Sequence, residues 1–95
     1  MNPIEAIKKG FEACERDFIN NIALNKSKEI VDRSGSCALI SLIIGDIVYF
    51  ANVGDSRAIM SCNGGEKVLP ITIDHKPNEE NESKRIVSSG GKIYQ

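Results

Sequence analysis

The sequence predicts an α+β fold in which antiparallel strands need cover on both faces and helices lie outside them. Three features carry this expectation. Residues 3–23 space their apolar side chains at helical steps. Residues 36–73 hold four short runs rich in branched and aromatic side chains, separated by turn signals. A second, more polar helical stretch follows at residues 78–89.

The first helix, residues 3–23, opens on Asn2 as a cap, with Pro3 at the first helical position and Glu5 where a capping-box acid sits. Ile4, Ile7, Phe11, Cys14, Phe18 and Ile22 recur at steps of three and four and form one stripe. Lys8, Lys9, Glu12, Glu15 and Arg16 lie off it. Residues 24–35 are polar, lack a period and read as a loop.

From Ser36 the period changes. "SCALISLII" and "IVYFANV" are nearly continuous apolar runs joined by Gly45-Asp46, a two-residue hairpin signal. Strands of this kind are covered on both faces. "RAIMSC" and "EKVLPIT" follow, joined through Asn63-Gly64-Gly65, and Pro70 marks the last strand as an edge. The expected result is a four-stranded antiparallel meander over residues 36–73. The helix at 78–89 starts at Pro77 and Asn78, carries acids early and Lys84 and Arg85 late, and ends at Gly90-Gly91. Residues 92–95 read as the start of another strand. Two helices cover one face of such a sheet, so the chain reads as part of a larger layered domain.

Bulk properties exclude several classes. The 95 residues are 41% hydrophobic and 26% charged, with a net charge of −1. That balance gives no electrostatic reason to expect nucleic acid or an anionic membrane as partner. No apolar run approaches the roughly 20 residues of a membrane helix. The three cysteines, Cys14, Cys37 and Cys62, are widely spaced and read as small buried apolar residues in a reducing, intracellular compartment, cytoplasmic or nuclear.

The chemistry concentrates at Gly54-Asp55-Ser56-Arg57, where an apolar strand gives way to an acid, a hydroxyl and a base. A tight turn explains it: Gly54 permits positive φ, Asp55 and Ser56 bond back to the backbone, and Arg57 pairs with a local acid. A serine-hydrolase elbow with Ser56 as nucleophile is a second reading. It needs a helix after the serine, and a strand follows here. A third reading rests on several motifs together. "RSGSCALISLI", "FANVGDSRAIM" and "ITIDHKPNEENESKRIVSSGGKI" occur in that order. Over residues 33–93 the chain closely resembles the metal-dependent protein serine/threonine phosphatases of the PPM family, type 2C. It departs from the family's Gly-Ser-Thr-Ala pattern by Cys37 in place of threonine.

That resemblance implies an α/β/β/α sandwich of two antiparallel sheets with helices outside each. It implies hydrolysis of phosphoserine and phosphothreonine in proteins, with two Mg²⁺ or Mn²⁺ ions and attack by a metal-bound hydroxide. In the family most metal-binding carboxylates come from an Asp-Gly-His-Gly-Gly stretch and an Asp-Gly-x-Trp-Asp stretch. This sequence has no Asp-Gly pair and no tryptophan. The expectation is therefore a partial phosphatase domain that is inactive as an isolated chain, with phosphoproteins as substrates and with association through its uncovered sheet. The resemblance carries one metal ligand onto this chain, Asp55, and no catalytic residue. It leaves Ser56 as a turn hydroxyl, Arg57 as an ion-pair partner and Glu82–Arg85 as a helix-surface pair. A rival reading keeps the fold without the catalysis, as a phosphatase-like binding module.

Overall fold

The computed structural model describes residues 2–94 and divides after Ser36 into two units. The first unit contains helix α1, Pro3–Phe18, which runs directly into a π turn at Ile19–Ala23. Asn2 caps α1 by accepting the Glu5 N–H at 2.8 Å, so the expected capping residue does its work. The π turn closes when the Leu24 N–H reaches the Ile19 carbonyl at 3.1 Å.

Residues 24–32 are more ordered than an aperiodic loop. The Asn25 side-chain oxygen accepts the N–H groups of Ser27 and Glu29 at 2.9 and 3.0 Å. This Asx-type turn lets Lys28 take φ +63° and brings Ile30 back against Leu24. The Ala23 carbonyl then accepts the Val31 N–H at 2.7 Å. Ala23, at 8% exposure, is the one buried hydrophobic among the described residues.

The second unit holds four strands and a helix: β1 Ala38–Ile44, β2 Ile47–Val53, β3 Ile59–Cys62, β4 Lys67–Pro70 and α2 Glu80–Ser88. The arrangement is α+β. β1 and β2 form an antiparallel hairpin from Ala38 against Val53 to Ile44 against Ile47. Gly45 at φ +58° makes its two-residue turn. β3 and β4 form a second hairpin, with Ile59 against Pro70 and Cys62 against Lys67. Its turn holds three successive positive φ values, at Asn63, Gly64 and Gly65.

The expected four-stranded meander is thus two hairpins. β2 and β3 do not pair, because residues 54–58 contain no tight reversal. They bend, and the chain changes partner instead of turning back. Pro70 fits its place: Ile71 N–H bonds the Ala58 carbonyl at 3.0 Å, so the alternation of an antiparallel ladder points position 70 away from β3.

Helix α2 starts at Glu80, not at Pro77. Pro77 and Asn78 occupy the centre of a turn closed by Glu79 N–H to the Lys76 carbonyl at 2.9 Å. Glu79 is the cap; its carboxylate accepts the N–H groups of Asn81 and Glu82. At the other end Gly90, φ +90°, bonds Val87, and Gly91 bonds Ile86 at 2.9 Å. That pair of bonds is a Schellman motif. The Glu82–Arg85 ion pair forms on the helix surface, with Glu80–Lys84 at 3.1 Å one turn across. Residues 92–94 carry no strand, since no described segment pairs with them; Gln95 lies outside the described residues.

The cysteines depart from the buried-apolar expectation. Cys14 and Cys37 are exposed and Cys62 is half-buried. Cys37 faces a carboxylate rather than a core.

Candidate functional site: the bend after β2

The pairing of β3 with β4 continues beyond both strands. Counting outward from Ile59 and Pro70 sets Ala58 against Ile71 and Gly54 against His75. Both pairs are joined by backbone hydrogen bonds, His75 N–H to the Gly54 carbonyl at 2.9 Å among them. Counting the other ladder outward from Ala38 and Val53 sets Cys37 against Gly54. Gly54 therefore lies between two ladders at once.

Glycine is required there for two reasons. Its φ is +113°, in the region that side chains avoid. A Cβ at this position would also lie 2.4 Å from Cys37 Sγ and 2.9 Å from Cys37 Cβ. The polar atoms of Gly54 are taken up from the other side. Its N–H donates to His75 Nδ1 at 3.3 Å, and its carbonyl accepts from Asn52 Nδ2 at 3.2 Å as well as from His75 N–H. Accepting at Nδ1 places the imidazole proton on Nε2. Asn52 Nδ2 also reaches the Ile73 carbonyl at 3.4 Å, while Asn52 Oδ1 is buried with no partner among the described residues.

Next to this locked peptide stands Asp55, whose side chain is exposed. It does not bond back to its own backbone as a simple turn residue would. Its Oδ1 accepts the Cys37 thiol at 3.3 Å. Asp74, across the bend, is engaged differently. Arg57 forks onto it, Nε to Oδ1 at 3.2 Å and Nη2 to Oδ2 at 2.7 Å. The Arg57 guanidinium, first through these hydrogen bonds, holds the Asp74 carboxyl below the usual carboxylate range, and the pairing raises Arg57 in turn. Of the two acids, Asp74 is paired with a cation, whereas Asp55 is exposed and meets only a thiol among the described residues.

Ser56 is half-buried and followed by β3 rather than a helix, so the hydrolase elbow is not formed. Among the described residues no three His, Cys, Asp or Glu side chains cluster as a complete metal site. The sequence reading missed the Cys37 thiol on Asp55 and the two side chains that hold Gly54. The signal existed: counting outward from the turn at residues 63–66 pairs Gly54 with His75.

Two antiparallel hairpins joined through a clasped Gly-Asp-Ser-Arg bend, with helices before and after, define an α+β chain of a recognisable kind. The chain belongs to the protein phosphatase 2C family, whose model, described as "Protein phosphatase 2C", matches residues 2–95. It is 40% identical over 86 residues to "Probable protein phosphatase 2C 55" of Oryza sativa subsp. japonica, covering 90% of this chain and 21% of that protein. It is 40% identical over 87 residues to "Protein phosphatase 2C homolog 2" of Hypocrea jecorina, covering 92% of this chain and 18% of that protein. "Probable protein phosphatase 2C 76" of Arabidopsis thaliana is 44% identical over 70 residues, 74% of this chain and 16% of that protein. The chain thus spans about a fifth of the length of the curated relatives it matches. No solved structure matches it.

Proposed function

We propose that this chain supplies strands and one acidic metal ligand to a metal-dependent protein serine/threonine phosphatase. The observation that carries the reading is the contrast between the two acids of the bend. Asp74 is held by Arg57, whereas Asp55 presents an exposed carboxylate that accepts a thiol. An exposed hard oxygen donor suits Mg²⁺ or Mn²⁺, which take carboxylates and retain water. Asp55 fits as one ligand of a shared shell, the other ligands coming from elsewhere in an assembled domain. Asp55 would hold one side of a divalent cation, which would supply Lewis acidity and acidify bound water. The substrates are phosphoserine and phosphothreonine in proteins; the names of the relatives, protein phosphatase 2C, support the phosphoprotein part of this reading. With no Asp-Gly pair and no tryptophan in the sequence, the isolated chain lacks the remaining ligands and is inactive by itself. The thiols at Cys14, Cys37 and Cys62 support a reducing, intracellular setting.

The test is a chimera in which residues 2–95 replace the matching segment of an active family member. It hydrolyses a phosphothreonine peptide with added Mn²⁺, and Asp55→Ala lowers that rate about 10-fold or more, the order seen when support of a metal site is lost. A chimera indifferent to Asp55→Ala overturns the ligand role. Phosphate release by the 95-residue chain alone overturns its inactivity.

A further inference from the structure

We infer that His75 and Asn52 are positioning residues for Asp55, acting through the Gly54 peptide. The inference rests on the reading of Asp55 as a cation ligand. Gly54 carries no side chain, and its φ of +113° is one of many conformations open to glycine, so nothing in its own chemistry fixes the direction in which the next residue leaves. Both its polar atoms are nevertheless held. His75 contributes the imidazole Nδ1 to the N–H at 3.3 Å and its own N–H to the carbonyl at 2.9 Å. Asn52 adds its amide to the same carbonyl at 3.2 Å and ties it to Ile73 at 3.4 Å.

These contacts come from two chain segments on either side of the bend. Neither side chain is a ligand candidate while so engaged: the imidazole nitrogen facing the bend is already an acceptor, and the Asn52 amide is a donor. Their effect is to hold both peptides that meet at Gly54: the imidazole Nδ1 fixes the Val53–Gly54 peptide, and Asn52 Nδ2 with the His75 N–H fixes the Gly54–Asp55 peptide that carries Asp55. Replacing water with fixed dipoles around a ligand's backbone reduces the reorganisation needed when a cation arrives. The imidazole Nδ1 is the side-chain acceptor for the Gly54 N–H, in the place where an ordinary ladder pair would present a backbone carbonyl.

The test uses the ¹⁵N-labelled chimera of residues 2–95 in an active family member and Mn²⁺ as a paramagnetic probe, reading broadening of the Asp55 amide and exchange of the Gly54 amide. His75→Asn puts a carbonyl oxygen near the place of Nδ1, and His75→Gln puts it near Nε2. We expect His75→Asn to stay within about threefold of the parent in both readings. His75→Gln should raise the Mn²⁺ concentration for half-broadening about 10-fold and speed Gly54 exchange by a similar factor, as for lost support of a metal ligand. Should His75→Gln lose its dispersed amide spectrum, Asn52→Ala replaces it with the same expectation. If Asp55→Asn raises the Mn²⁺ concentration for half-broadening while His75→Gln matches His75→Asn, the positioning role is overturned and the ligand reading stands. If Asp55→Asn leaves the broadening unchanged, the ligand reading fails and this inference falls with it.

Discussion

Gly54 is pressed by a thiol on one face and held by an imidazole on the other, and that determines what a substitution costs. Gly54→Ala places a methyl 2.4 Å from Cys37 Sγ at a φ of +113°. We expect a loss of about 1–3 kcal/mol, read as a lower urea midpoint. Adding Cys37→Ala should restore only part of it, since Cys37 Cβ remains at 2.9 Å and the backbone strain is unchanged. A full recovery would mean that the backbone conformation costs nothing. The neighbouring ion pair gives a pH prediction. Arg57 holds the Asp74 carboxyl below its ordinary 3.8, chiefly by hydrogen bonding. A depressed carboxylate contributes stability that is fully present above that ordinary value and is lost as pH falls through the lower folded one. Arg57→Ala should therefore move the Asp74 carboxyl ¹³C titration upward toward the ordinary range and remove that acid-side dependence. Part of this was legible in the sequence: an acid, a hydroxyl and a base in succession announced a structured bend, and Arg57 did find an acid, although Asp74 lies 17 residues away and is not the local partner expected. The Cys37 contact was not, because 18 residues separate it from Asp55 and the ladder register alone brings them together.

Elements obey local chemistry wherever both ends of a helix or a turn are written in consecutive residues. Asn2, the Gly45-Asp46 hairpin and the Gly90-Gly91 stop all took their expected places. The errors came where a residue type serves two purposes. Pro77 and Asn78 suit a helix start as well as a type I turn, and the Lys76–Glu79 hydrogen bond decides for the turn. Likewise, two adjacent apolar runs read as paired strands, yet pairing needs a reversal that residues 54–58 do not make. The Schellman motif supplies a clean test. Gly90→Ala keeps every helical residue of α2 but forces a side chain into φ +90°. It should cost about 1–2 kcal/mol and speed exchange of the Gly91 amide, whose partner is the Ile86 carbonyl. Unchanged exchange at Gly91 would show that the cap does not hold the helix end.

At the scale of the whole molecule, the dominant fact is how little apolar surface the described residues hide. On the β1–β2 hairpin, alternate positions face opposite ways, and both faces stand open: Leu42 is 38% exposed and its neighbour Ile43 69%. Ile59, Val68 and Val87 each exceed half exposure. The sequence foretold strands needing cover on both faces, and the chain spans about a fifth of its relatives. What supplies that cover was not legible, because no local pattern records the residues packed above a sheet. At about 25 cal/mol per Å² of apolar area removed from water, a few hundred Å² covered by a second copy is worth several kcal/mol, enough to drive association of the chain alone. The free outer edges of both hairpins add backbone groups that a second copy can pair. We therefore expect sedimentation velocity to show concentration-dependent association, together with binding of an apolar dye. Lysine at Ile43 and at Val48, which face each other across the ladder, should weaken both without touching the bend at Gly54. A monomeric chain that melts sharply and ignores the dye would show that its exposed faces need no cover.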